Sequence, residues 1–146
     1  MPATTTIRSI LEQKGRTVHS VFPDVSVFEA LKLMAEFNVG ALPVLEAGKL
    51  IGIVSERDYA RKIVLAGRTS PNTPVQDIMS TSVVCTTPER TVQDCMAIMT
   101  ERGIRHLPVL DHKHVVGIVS IGDLVKTIIK DQEYVIEQLE HYIQGS

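Results

Sequence analysis

Little in this sequence advertises a common function. The only two cysteines, Cys85 and Cys95, have neither CxxC spacing nor company, so a reducing, cytoplasmic setting is expected. Charge of one sign is equally scarce. Fifteen Lys and Arg face seventeen Asp and Glu, and the formal net charge of -2 argues against a non-specific nucleic-acid binder. No apolar run approaches the length of a membrane span, and MPATTTIRSILEQKG lacks the long apolar segment of a signal peptide. Neither a membrane nor a nucleic acid is therefore expected as partner. Catalytic signatures are missing too: there is no Gly-rich phosphate loop, no HExxH and no nucleophile elbow. The expectation is a non-enzyme without catalytic residues, bound metal or catalytic cofactor.

What is present is one unit written twice. Ala41 to Asp58, ALPVLEAGKLIGIVSERD, returns as RHLPVLDHKHVVGIVSIGD at Arg105 to Asp123. Leu42-Pro43-Val44-Leu45 matches positions 107–110, an offset of 107 − 42 = 65, and Gly52-Ile53-Val54-Ser55 matches 117–120. From 17–58 onto 82–123, 14 of 42 positions are identical without a gap. A chain of 146 residues is normally one domain, and each copy alone would be marginal. The two copies should share one globule, with function sought where they meet.

In chain order, residues 1–4 read as a loose end and 5–14 as a short helix stopped at Gly15. Thr17 to Val21 reads as a short strand, with Cys85 in its counterpart. Val27, Ala30, Leu31 and Met34 mark one face of a helix. Their counterparts are Val92, Cys95, Met96 and Met99, which makes Cys95 a core residue. Leu42–Leu45 and Leu50–Val54 form a hairpin, repeated around Asp111-His112-Lys113-His114. That His-x-His is read as a solvated turn, since no carboxylate or thiol cluster completes a metal site. Ser55–Ala66 is read as a helix with Tyr59, Ala60, Ile63 and Val64 inward, and Gly67–Pro74 as a linker. The lead-in to the second copy, Val75, Ile78 and Met79, lies about three residues closer to its strand than Ile7, Ile10 and Leu11 do to theirs. A final helix runs from near Ser120 towards Ile143. Its distal stripe, Val135, Ile136, Leu139 and Ile143, has no counterpart in the first copy. That stripe packs either on the module's own flank or, as favoured here, on a second subunit.

The Ser-x-x-Asp pairs, Ser55/Asp58 and Ser120/Asp123, are the sharper signal. Helix capping explains them in part, and Ser26/Glu29 and Thr91/Asp94 share the pattern. Capping does not explain why Gly-Ile-Val-Ser-x-x-Asp follows a hairpin twice. A hydroxyl and a carboxylate at a helix start suit a polyol-bearing ligand, and the helix end favours phosphate.

On these residues both copies resemble CBS domains, and the chain resembles a stand-alone tandem CBS pair, or Bateman module. The resemblance implies an α/β (α+β) fold of two β-α-β-β-α repeats with pseudo-twofold symmetry. The boundaries it suggests are an N-terminal helical segment 1–16, repeats at 17–66 and 82–130, a linker 67–81 and a helical tail 131–146. It implies two clefts for adenosine-type ligands (AMP, ADP, ATP, NAD or S-adenosylmethionine) and a homodimer. By position, Ser120 and Asp123 would hold ribose in one cleft, and Ser55 and Asp58 in the other. Backbone at Thr17-Val18-His19 and Ser82-Val83-Val84 would meet adenine, with apolar contact from Ile53 and Ile118. Gly40-Ala41 and Arg105-His106 would line the clefts. Repeat 2 has Arg105-His106 where repeat 1 has Gly40-Ala41, while Arg57 stands where repeat 2 has Gly122. Unequal clefts are therefore expected, with Arg105 suited to clamp phosphate.

The leading expectation is a regulatory module that senses energy or redox state through a small-molecule nucleotide and acts in trans on an effector protein. The competing expectation is a structural or interaction protein with unused clefts. An enzyme such as a nucleotide hydrolase comes third, for want of a base, nucleophile or metal constellation.

Overall fold

The computed structural model describes residues 5–15 and 17–145, so the loose end expected at 1–4 lies outside the described residues. Helix α1 spans Ile7–Lys14 and stops at Gly15, whose φ of 98° a side chain would resist. Helix α2 spans Val27–Phe37. Ser26 caps it by accepting from the Glu29 amide at 3.1 Å, and left-handed Asn38 ends it. Strands β1 (Ala41–Glu46) and β2 (Lys49–Ser55) pair antiparallel around the turn at Ala47-Gly48. Helix α4 (Val92–Arg102) and strands β3 (His106–Asp111) and β4 (His114–Ser120) repeat the plan, down to a register irregularity at Val44/Leu45 and at Val109/Leu110. Repeat 1 continues into α3, Glu56–Tyr59.

The expected first strands are shorter than the sequence suggests. Thr17–Val21 contributes a single parallel bridge, Val21 to Val44, and the second copy has only Thr86 to Val109. Val21 donates to Pro43 O at 3.1 Å and accepts from Leu45 N at 2.9 Å. The residues before it turn towards a cleft instead. The helix expected over 55–66 also differs. Past Tyr59 it widens into a π-helical turn, Ala60–Val64, which breaks the 3.6-residue period. Ile63 is buried as expected, but Ala60 and Val64 face outward.

Two cores form, and each is closed by the segment that precedes the other repeat. Ile7 and Ile10 of α1 are buried with Val92, Cys95, Met99, Leu107 and Leu124 of repeat 2. Val75 and Ile78, from a 3-10 turn in the linker, are buried with Val27, Met34, Leu42 and Val54 of repeat 1. Each such side chain contributes about 1.5–3 kcal/mol by leaving water, so neither repeat is complete without the far segment. This crossing explains the glycine of Gly-Ile-Val-Ser. A Cβ on Gly52 would lie 2.5 Å from Met79 Sδ, and one on Gly117 would lie 2.6 Å from Leu11 Cδ2. Cys95 is buried against Thr86, with Sγ 3.2 Å from Oγ1, and burial raises its thiol pKa.

Helix α5 spans Ile121–Gly145, 25 residues, or about 37 Å at 1.5 Å per residue. Leu124 anchors its first turn in the core. The distal stripe does not fold back: Val135, Ile136, Leu139 and Ile143 are 45%, 55%, 57% and 78% exposed.

Candidate functional site: two unequal clefts

The clefts lie where α-helix starts meet strand ends. Cleft B opens at the end of β2. Ser55 Oγ accepts from the Asp58 amide at 3.2 Å, and Asp58 Oδ2 accepts from the Ser55 amide at 2.9 Å and from its hydroxyl at 3.0 Å. This is a capping box, and it fixes the carboxylate at the rim of the cleft. Cleft B encloses about 890 Å³, near the top of the ~300–1,000 Å³ range of small-molecule sites. Arg57, Arg61, Lys62 and Arg105 line it against only Glu56 and Asp58 as acids. Lys62 is held by Ile78 O at 2.8 Å and lies 3.5 Å from Asp58 Oδ1.

Cleft A lies beside β4 and encloses about 300 Å³. Thr17, Val18, His19, Ala41 and Ile118 line it, and the His19 ring stacks on Phe37 at 3.6 Å between centroids. Asp123 closes a second cap, accepting from the Ser120 amide at 2.8 Å while its own amide donates to Ser120 Oγ at 3.1 Å. Lys14 lies across the cleft: Nζ donates to Asp123 Oδ2 at 2.8 Å and to Ile118 O at 3.0 Å. Burial pushes the Asp123 carboxyl pKa up, but Lys14 and the Ser120 amide outweigh it and leave the group below its ordinary value.

The candidate residues divide unevenly. Cleft B gathers Ser55, Arg57, Asp58, Ile53, Ser82, Val83, Val84, Gly40, Arg105, His106 and Ser120. Asp123 lines neither cleft wall and is reached through Lys14. The sequence pattern set Arg105-His106 against Arg57 as features of opposite repeats; the fold instead brings them into one cleft. Gly40 permits this, since a Cβ there would lie 3.2 Å from His106 Nε2 and 3.3 Å from Glu56 Oε1. Burial lowers the His106 pKa, with Lys14 and Arg105 adding to the shift and Asp123 opposing it. Sequence reasoning missed Arg61, Lys62 and Lys14. The first two follow Asp58 by three and four positions and so share its helix face. Among the described residues no group of three or more His, Cys, Asp or Glu is placed to hold a metal, and no helix is long and apolar enough to cross a membrane.

Two like repeats, each with a Ser-x-x-Asp helix cap, and two clefts lined by both repeats define a tandem ligand-cleft module. The CBS domain profile matches residues 14–65 and 75–130, and the chain belongs to the CBS-domain family. It is 40% identical over 150 residues to the mitochondrial CBS domain-containing protein CBSX3 of Arabidopsis thaliana, covering 97% of this chain and 73% of that one. A solved CBS-domain protein of Burkholderia ambifaria superposes with a TM-score of 0.83 at 48% identity, covering 88% of this chain and 96% of that one. The CBS domain pair of protein MJ0100, solved in complex with 5'-methylthioadenosine and S-adenosyl-L-methionine, superposes with a TM-score of 0.73 at 27% identity, covering 84% and 94%. None of these three is named for a reaction, and one is named for a mitochondrion, so membership does not fix a compartment.

Proposed function

We propose that the chain is a regulatory module that binds an adenosine nucleotide in cleft B and acts in trans. One observation carries the reading: four cations and a capped carboxylate converge on a single large cleft. Asp58 accepts the ribose hydroxyls, the main chain at Ser82–Val84 meets the adenine edge, and Arg57, Arg61 and Arg105 take phosphate. The adenosine ligands of the MJ0100 pair support the class. The cations here favour AMP, ADP, ATP or NAD over the cationic S-adenosylmethionine.

A ligand in cleft B touches both repeats and the start of α5. Ile121 lines the cleft, and its amide donates to Arg105 O at 2.9 Å. The ligand can shift the arrangement of the repeats only by its differential affinity for the two states. Helix α5 then carries the change to its exposed stripe, where a second copy of the chain or an effector protein docks.

Thermal shift with AMP, ADP, ATP, NAD and S-adenosylmethionine tests this. Stabilisation should rise with phosphate number, reaching ~2.7 kcal/mol at a hundredfold excess over Kd. Stabilisation by S-adenosylmethionine alone would contradict the ligand assignment. No stabilisation by any of the five would favour the second reading, an interaction protein with unused clefts, to which the exposed α5 stripe lends its support.

A further inference from the structure

We propose that Lys14 decides which cleft takes nucleotide, by serving as a tethered occupant of cleft A. The proposal rests on the nucleotide reading above and adds which cleft is closed and by what. The two lead-in segments pack alike at an offset of 68: Ile7 with Val75 (75 − 7), Ile10 with Ile78, and Leu11 with Met79. Beyond them the repeats align at an offset of 65, Thr17 with Ser82 (82 − 17). The first lead-in thus carries 68 − 65 = 3 residues more than the second, close to one helical turn. Helix α1 uses them to continue through Lys14, whereas the second lead-in leaves its 3-10 turn at Asp77.

The extra turn changes what fills the cleft. In repeat 1 the main chain of Ile53 pairs with Ser80, whose amide donates to Ile53 O at 2.9 Å. At the matching position of repeat 2, Ile118 O accepts from the Lys14 ammonium at 3.0 Å. The same ammonium bonds Asp123 Oδ2 at 2.8 Å, where a ribose hydroxyl would donate. Asp58 also meets a cation, but Lys62 stands further off at 3.5 Å and leaves about 890 Å³ open, against about 300 Å³ beside Lys14. With Lys14 in place, the Asp123 carboxylate that would take the ribose of a nucleoside in cleft A is already bonded.

Calorimetric titration with ATP separates the possibilities. The wild type should bind one ATP per chain, Asp58→Ala none, and Lys14→Ala two, with cleft A tightening at least about tenfold. Lys14→Ala with Asp58→Ala should bind one. Lys14→Gln, which keeps the length and removes the charge, stands in should Lys14→Ala fail to fold. Two sites in the wild type would overturn the closure and leave the nucleotide reading intact. One site unchanged by both Lys14 variants, or weaker binding because Lys14 itself holds phosphate, would also overturn it. No binding in the wild type but one site in the Lys14 variants would uphold the closure and overturn cleft B as the site. No binding anywhere would overturn both.

Discussion

Cleft A and cleft B are lined by matching strands of the two repeats, yet one encloses about 300 Å³ and the other about 890 Å³. One is crossed by the 2.8 Å Lys14–Asp123 pair; the other gathers four cations, of which only Lys62 meets Asp58, at 3.5 Å. The difference comes from the segments that reach in: three extra residues in the first lead-in, and Arg57 and Arg105 lining one cleft from opposite repeats. Duplication supplies the scaffold twice, and the unduplicated connections make the sites differ.

The largest expected effect tests the crossed cores. Ile78→Ala should destabilise the protein by about 3 kcal/mol and Ile10→Ala by a similar amount, each in a single cooperative melt. Two separate transitions, one per variant, would break the claim that each lead-in closes the opposite repeat.

Next comes the acid of each cleft. Asp58→Ala should abolish ATP binding detectable by titration, since two ribose hydroxyls lose hydrogen bonds to a charged group worth about 1.5–3 kcal/mol each. Asp123→Ala should leave ATP affinity nearly unchanged and cost about 1 kcal/mol of stability as a lost cap. A smaller effect sharpens the charge difference: Arg105→Ala should weaken ATP about fivefold and AMP less, because the side chain is solvent-exposed.

The smallest effect is in pH. His106 titrates below its ordinary 6.5 in the folded protein, so the unfolded chain binds the proton first. Stability should therefore fall as pH drops from about 6.5 towards the folded value, and His106→Gln should remove that step from a plot of Tm against pH. Arg105, Lys14 and Asp123 act on the ring, and Glu56 Oε1 borders with it the space a Cβ on Gly40 would take. Asp123, also lowered, contributes stability above its ordinary 3.8 and loses it as pH falls through the folded value. ATP affinity in cleft B should rise several-fold through the His106 window, as protonation adds a cation beside phosphate.

Much of this was legible in the sequence. The identities at 42–45 and 52–55 locate both hairpins, and the period of Val27, Ala30 and Met34 gives the buried face of α2. The four caps were legible as Ser/Thr-x-x-Asp/Glu, and each hydroxyl accepts from the expected amide. What was not legible depends on contacts between distant segments. Nothing local says that Ile10 is buried in one core with Leu107 or that Arg57 and Arg105 line one cleft. The offset change from 68 to 65 was visible as a shorter second lead-in, but only the folded chain shows that it carries Lys14 onto Asp123. The π-helical turn at Ala60–Val64 is not legible because Tyr59, Ala60, Ile63 and Val64 fit a regular helical period equally well.

The most direct test of the central claim is the ATP stoichiometry of Asp58→Ala beside Asp123→Ala, with both variants shown to be folded. The account predicts that ATP binding disappears in the first and persists at one per chain in the second. Persistence in Asp58→Ala together with loss in Asp123→Ala would contradict it.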